Sequence, residues 1–205
     1  MTDSTAAPGV AGGAGPVDIL VVCTANRARS PAAAHLLAEE ARRRKADGAV
    51  RLRSAGLNVG EWQGMLTSMA KAMRARGHQV EGHLSRRVDQ AQLEASRLVV
   101  TMTEDQRRDV CRLHPSAVPR CFTLRELARL SSSPEWRPEW AAAWGGDVDV
   151  VTRLHGIRPL VPPADEQEDI ADPREGGRRL ARSVLADIAS AVEEIATPLF
   201  GPVAS

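Results

Sequence analysis

The chain has no tyrosine, only two phenylalanines, and three cysteines among its 205 residues. Cys23, Cys111 and Cys121 are odd in number and lack the paired spacing of a zinc site, which points to a reduced, cytoplasmic protein rather than a disulfide framework. No apolar run approaches the roughly 18 residues needed to span a bilayer, so no membrane association is expected. Neither sign of charge dominates: the formal net charge is +1, and acidic and basic residues alternate along the chain. There is no basic stripe for nucleic acid and no polybasic arm for a membrane surface. Residues 1–16, MTDSTAAPGVAGGAGP, lack the basic start and apolar segment of a secretory leader and are expected to form a flexible tail. There is no internal repeat.

What is present suffices for one globular domain. Apolar residues make up 43% of the chain. A domain of this length buries roughly 70% of the surface that its unfolded chain exposes. VDILVV (17–22) is a continuous apolar run of strand length, as in a parallel strand buried on both faces. Residues 31–45 read as a helix with Pro31 in its first turn, where a missing N–H costs nothing. AVRLRSAG (49–56) alternates like a strand, and 65–77 reads as a helix stopped by Gly77. ASRLVVTMT (95–103) and RCFTL (120–124) read as strands on either side of a helix at 104–114. Leu180, Val184, Ile188, Val192 and Ile195 recur at helical spacing near the end. Strands alternating with helices predict an α/β fold, a four-stranded parallel sheet with helices on both faces. In such sheets ligands bind beyond the carboxyl ends of the strands.

One such end carries the stretch DILVVCTANRARSP (18–31). An apolar strand closes on Cys23, and Arg29 opens a helix six residues later. A cysteine at such a place could be a small buried hydrophobe. The turn, however, aims several backbone N–H groups at one spot, and the helix dipole adds to their field, which makes an anion site. Arg29 adds a planar fork matched to two phosphate oxygens. A thiolate is also an anion, and the same field favours it. A nucleophile in such a cradle suits attack on phosphorus, where three equatorial oxygens need donors. The leaving group then needs an acid, and Asp172 in EDIADPREGG (168–177) offers one. Asp172 precedes Pro173, which favours extended backbone, and it could equally be a helix cap in a common Asp-Pro turn.

Taken together, VVCTANRARSP, RSAG (53–56), GHLSRRV (82–88) and DIADP resemble the phosphate loop, second strand end, His-x-Ser-Arg segment and acid loop of the low-molecular-weight protein tyrosine phosphatases. Their order and approximate spacing agree over most of residues 17–198. The resemblance implies a flavodoxin-like three-layer fold, a phosphatase domain over 17–205, and hydrolysis of phosphomonoesters through a cysteinyl-phosphate. It implies Cys23 as nucleophile, Arg29 as phosphate ligand and Asp172 as general acid, then base. Thr24, Ala25, Asn26, Arg27 and Ala28 would complete the phosphate-binding loop. Ser30 would donate to the Cys23 sulfur, and Asn26, Ser54 and His83 would brace the loop. No cofactor and no metal are implied; the partner is a phosphorylated protein or a small phosphoester.

Several residues depart from the family pattern. Ala25 replaces a usual glycine, at a cost of about 1 kcal/mol if the backbone there is unusual. Arg27 stands where an aliphatic residue is usual, and Ala28 where many relatives carry a second cysteine. Arg174 and Glu175 follow Asp172-Pro173 where aromatic residues are common. With no tyrosine in the chain, Trp62 is the expected source of a substrate wall. Residues 128–167 are expected to be a Trp-rich insertion, with Trp136, Trp140 and Trp144 on one helical face, docked on the domain or serving as a lid. The alternatives are a sugar or metabolite phosphatase, an arsenate reductase relaying oxidation through Cys111 and Cys121, and a non-catalytic phosphate-binding module.

Overall fold

The computed structural model describes residues 15–144, 148–163, 168–174 and 176–203, so most of the expected tail lies outside the described residues. Its sheet has four parallel strands, β1 (Val17–Cys23), β2 (Val50–Gly56), β3 (Leu98–Thr101) and β4 (Cys121–Thr123). They lie in the order β2-β1-β3-β4. Its central position explains why β1 is apolar and buried from Ile19 to Cys23. Ile19, Val21 and Cys23 enter one core while Leu20 and Val22 enter a second core on the opposite face.

The first core is closed by α1 (Arg29–Arg43), α2 (Thr67–Arg74), α5 (Leu124–Ser131), α6 (Val150–Ile157) and α7 (Gly177–Phe200). Leu37, Met69, Met73, Leu127, Leu154 and Ile188 are their fully buried contributions. The smaller second core is covered by α3 (Gln90–Ala95) and α4 (Glu104–Leu113) through Leu93 and Val110. The helix α7 packs along α1, α2 and α5. The chain leaves β1 toward β2 on one side and reaches β3 on the other, so the carboxyl end of β1 sits at the topological switch point.

Three short helices were not expected from the sequence: α3, α5 and α6. Asp89 with Gln92, and Thr123 with Glu126, form capping boxes at α3 and α5, and Asp149 caps α6. The expected strand at 95–103 shortens to β3 because Thr103 leaves the sheet to cap α4. The expected strand at 120–124 likewise ends where Thr123 caps α5.

The tryptophan segment needs a correction. Trp136, Trp140 and Trp144 do not share a helix. Pro138 starts a single 3-10 turn that ends at Trp140, and Ala142 has φ 53, which no α-helix accommodates. Trp136 and Trp140 meet edge to face with centroids 5.6 Å apart, and the Arg153 guanidinium lies 5.0 Å from the Trp140 ring. Trp144 is buried, and its Nε1 donates to the Leu199 carbonyl at 2.8 Å near the end of α7.

Candidate active site

Cys23 ends β1 and Arg29 begins α1, so residues 24–28 must turn the chain between two rigid elements. Two features of β2 fix that turn. Beyond its end, Leu57 N donates to the Cys23 carbonyl at 2.9 Å and Asn58 N to the Thr24 carbonyl at 2.8 Å. Gly56 itself is paired with Cys23 in the sheet. A Cβ on Gly56 would meet Asn26 N and Thr24 O, both at 2.8 Å, so only glycine lets the loop lie this close.

The unusual backbone angle in the loop belongs to Asn26, at φ 51, and not to Ala25. Asparagine tolerates the left-handed region, so Ala25 carries no conformational cost. Asn26 is fully buried, and four partners satisfy it. Its Nδ2 donates to Ser30 Oγ at 3.0 Å and to Ser54 Oγ at 2.8 Å. Its Oδ1 accepts from Arg86 N at 2.9 Å, and its carbonyl accepts from His83 Nε2 at 2.7 Å. Ser54 and His83 therefore hold the loop through Asn26.

Ser30 Oγ lies 3.0 Å from Cys23 Sγ and 3.2 Å from the Ala55 carbonyl. Its single proton has two acceptors, one of them the sulfur. The helix α1 has neither a side-chain cap nor an acidic residue in its first turn. Its leading N–H groups are left for a bound anion.

Arg29 is buried and points across the sheet end. One terminal nitrogen donates to the Ile170 carbonyl at 3.0 Å, and the other to Asp172 Oδ2 at 2.7 Å. The segment carrying Asp172 is anchored at three successive residues. Glu168 pairs with Arg129, Asp169 Oδ1 accepts from Glu104 N at 2.8 Å, and Ile170 N donates to the Met102 carbonyl at 2.8 Å. Arg174 turns back on Asp172, donating from its backbone N to Oδ1 at 3.0 Å and from Nε to Oδ2 at 3.1 Å. Asp172 thus faces two guanidinium groups.

Cys23, Ala25, Arg27, Ala28, Arg29 and Asp172 line one small pocket, joined by Leu66 and Arg174. Arg27 Nε donates to the Gly64 carbonyl at 3.3 Å, and Leu66 N to the Arg27 carbonyl at 2.6 Å, which brings Leu66 to the mouth. Trp62 does not line this pocket; it is 77% exposed, and none of the other three tryptophans lines it either. Glu175 lies outside the described residues. Two contributors were missed. Leu66 is one. Gln106 is the other: it is buried, accepts from Met102 N at 3.1 Å and donates to Thr24 Oγ1 at 3.0 Å. Its only signal in the sequence was a glutamine three residues after the helix-capping Thr103.

Residues 18–136, more than half the chain, match the family model for low molecular weight phosphotyrosine protein phosphatase. A search of curated proteins finds no significant sequence match. Solved structures with the same fold include a YwlE mutant from Bacillus subtilis, at 20% identity and a TM-score of 0.67, covering 89% of this chain and 98% of that one. The YwlE arginine phosphatase from Geobacillus stearothermophilus gives 22% and 0.64, covering 90% and 93%. The tyrosine phosphatase Wzb from Escherichia coli K30, solved with sulphate, gives 19% and 0.63, covering 89% and 97%.

Proposed function

Because this chain belongs to the low molecular weight phosphotyrosine protein phosphatase family and is a hydrolase of that type, we propose that Cys23, Arg29 and Asp172 carry its chemistry. The observation behind this assignment is their convergence on one pocket from opposite ends of the sequence. The phosphoryl group sits on the loop N–H groups and the Arg29 fork. Engaging a phosphate draws Arg29 away from Asp172 Oδ2 and leaves that carboxyl, still oriented by Arg174, to face the leaving oxygen. Asp172 takes up the proton that Cys23 releases as it becomes the thiolate; Sγ then forms a bond to phosphorus as the P–O bond breaks, and the electron pair passes to the leaving oxygen with that proton. Asp172 then takes a proton from water, whose oxygen attacks phosphorus as the S–P bond breaks. The departing thiolate receives the Ser30 hydrogen bond. Ser54, His83 and Gln106 are positioning residues.

The mouth sets the substrate class. Arg27 and Arg174 line it with Ala25, Ala28 and Leu66, and no aromatic ring is among the lining residues described. Arginine phosphatases occur among the structural neighbours. A cationic guanidinium leaving group, however, would face two arginines here, so an oxygen ester is the better fit. We infer weak discrimination between phosphotyrosine and non-aromatic phosphoesters, with preference for substrates bearing additional negative charge. None of the described helices is long and apolar enough to cross a membrane. The three cysteines are free, and a reducing, cytoplasmic setting suits them. The arsenate-reductase alternative is weakened because Cys121 and Cys111 belong to the core on the far side of the sheet from Cys23.

The test is a hydrolysis panel of phosphotyrosine peptides, sugar and alkyl phosphates, phosphoarginine and arsenate, with Cys23→Ser as the inactive control. The kcat/KM values for phosphotyrosine and the better alkyl esters should fall within about 10³-fold of each other. A larger preference for the peptide, more than about 4 kcal/mol in the transition state, would contradict the open, cationic mouth.

A further inference from the structure

Away from the phosphate pocket, α1 carries a second cluster of chemically able side chains. His35 and Glu39 stand four residues apart on one face of the helix. His78 is brought to them by the end of α2. After Arg74 the chain makes a further turn, Gly77 takes φ 87, and His78 N donates back to the Met73 carbonyl at 3.2 Å. That six-to-one bond with a left-handed glycine is a Schellman ending, and Met73 beneath it is fully buried. His78 is therefore set by rigid backbone and not by a wandering loop.

The three side chains meet closely. Glu39 Oε1 lies 2.9 Å from His35 Nε2, and Oε2 lies 2.8 Å from His78 Nδ1. The two imidazole rings stand edge to face with centroids 5.9 Å apart. One ligand atom from each residue can be chosen so that all lie within 4.8 Å of one another. All three side chains are partly buried, shielded but reachable from solvent. Among the described ion pairs, Glu39 pairs with these histidines alone, whereas the adjacent Glu40 is held by Arg43 and Arg44. In a chain rich in arginine, this carboxylate is kept for two imidazoles.

We propose that His35, Glu39 and His78 form a binding site for a divalent transition-metal ion of the zinc class. Two imidazoles and a carboxylate are a donor set that suits such ions. Ligand atoms around a tetrahedral zinc lie about 3.3 Å apart, given bonds of about 2.0–2.1 Å; the imidazole nitrogens stand 2.9 and 2.8 Å from the two Glu39 oxygens, and one atom from each residue falls within 4.8 Å of the others. On binding, coordinate bonds replace the His35 hydrogen bond to Glu39 and the close His78 contact with it. Each ring presents a lone pair at the nitrogen that faced the carboxylate and keeps its proton on the other ring nitrogen. Three protein ligands leave one coordination position for water or a further donor.

That further donor has somewhere to come from. His35 also lines an open cleft with Pro31, Leu52, Met65, Ser54 and His83. Ser54 and His83 are the residues that hold Asn26 in the phosphate loop. An ion here ties α1 to the end of α2 on the side of the molecule that supports the loop. Neither the metal site nor its test depends on the phosphatase reading.

The test is Co²⁺ titration of the full chain carrying Cys23→Ser, followed by displacement with Zn²⁺. One Co²⁺ per chain is expected, with visible d–d absorption and no thiolate-to-cobalt charge-transfer band. His35→Ala and His78→Ala should each weaken binding by more than the roughly 10–100-fold that losing an outer-shell partner costs. Zn²⁺ should raise the melting temperature of the parent and not of these variants. His78→Gln, which preserves bulk in the turn, serves if His78→Ala fails to fold. Cys111→Ser should leave affinity unchanged. Absence of Co²⁺ binding, a thiolate band, or unaltered affinity in the histidine variants would each overturn the assignment.

Discussion

Asp172 accepts from Arg29 at 2.7 Å and from Arg174 at 3.1 Å, so its carboxylate is held between two cations before any substrate arrives. Asn at this position keeps one acceptor oxygen for Arg29 and Arg174 Nε, loses the one that accepts from Arg174 N, and has no acidic proton to deliver. Asp172→Asn should therefore slow esters with poor leaving groups by about 10²–10⁴-fold while leaving activated aryl esters much less affected. Comparing kcat/KM across phenols of graded acidity checks this; equal slowing throughout would make Asp172 a structural residue only. Cys111 gives a second expectation at this scale. The neighbouring Cys121 thiol, with the Arg107 and Arg158 guanidiniums, favours its thiolate and pulls Cys111 down to about 7. Cys121, fully buried, moves the other way. Since the thiolate is the reactive form, alkylation of Cys111 should rise with pH to half its maximum near 7. Peptide mapping after iodoacetamide treatment reads this, and a midpoint near 9 would contradict the pairing.

At the scale of elements, the close approach of the Cys23–Arg29 loop to β2 governs the site. Gly56→Ala places a methyl against backbone atoms of Thr24 and Asn26 that cannot rotate away. The loop or the strand must shift, at about 1–3 kcal/mol. Thermal unfolding should show that loss, and kcat/KM should fall with it. Gly48→Ala, which meets open space, should change neither; equal effects of the two variants would refute the packing argument. The long elements were legible in the sequence because burial imposes periods that survive over several turns. β1 reads as a mostly apolar run of strand length, and α7 as an apolar face recurring from Leu180 to Ile195, which the structure extends to Phe200. α3, α5 and α6 span six to eight residues, too few turns for a period to emerge, and only their capping residues announce them. The four-residue spacing of Trp136, Trp140 and Trp144 matched a helix, but Pro138 and the left-handed Ala142 break the backbone between them.

For the whole molecule, the switch point of a doubly wound sheet brings together four stretches distant in sequence. The Cys23–Arg29 turn was legible because strand, loop and helix start are contiguous. The place of Asp172 in the pocket was legible only beside the other motifs, since nothing local separates a pocket aspartate from a capping one. The contacts that place it, Glu168 with Arg129 and Ile170 with Met102, cross the fold and leave no pattern in the chain. Gln106 was hidden in a charged helix that reads as exposed, yet it is buried against Thr24. Trp62 looked suited to a substrate wall but is turned to solvent, and Leu66 holds the mouth in its place. The account rests on a covalent intermediate at Cys23. It is tested most directly by rapid-quench mass spectrometry of the wild-type chain with a phosphotyrosine peptide or an aryl phosphate. A stoichiometric phosphoryl group on the peptide containing Cys23, formed before steady state and lost on turnover, is the predicted result. Sustained hydrolysis with no phosphoryl group at Cys23, or with one on another residue, would contradict it.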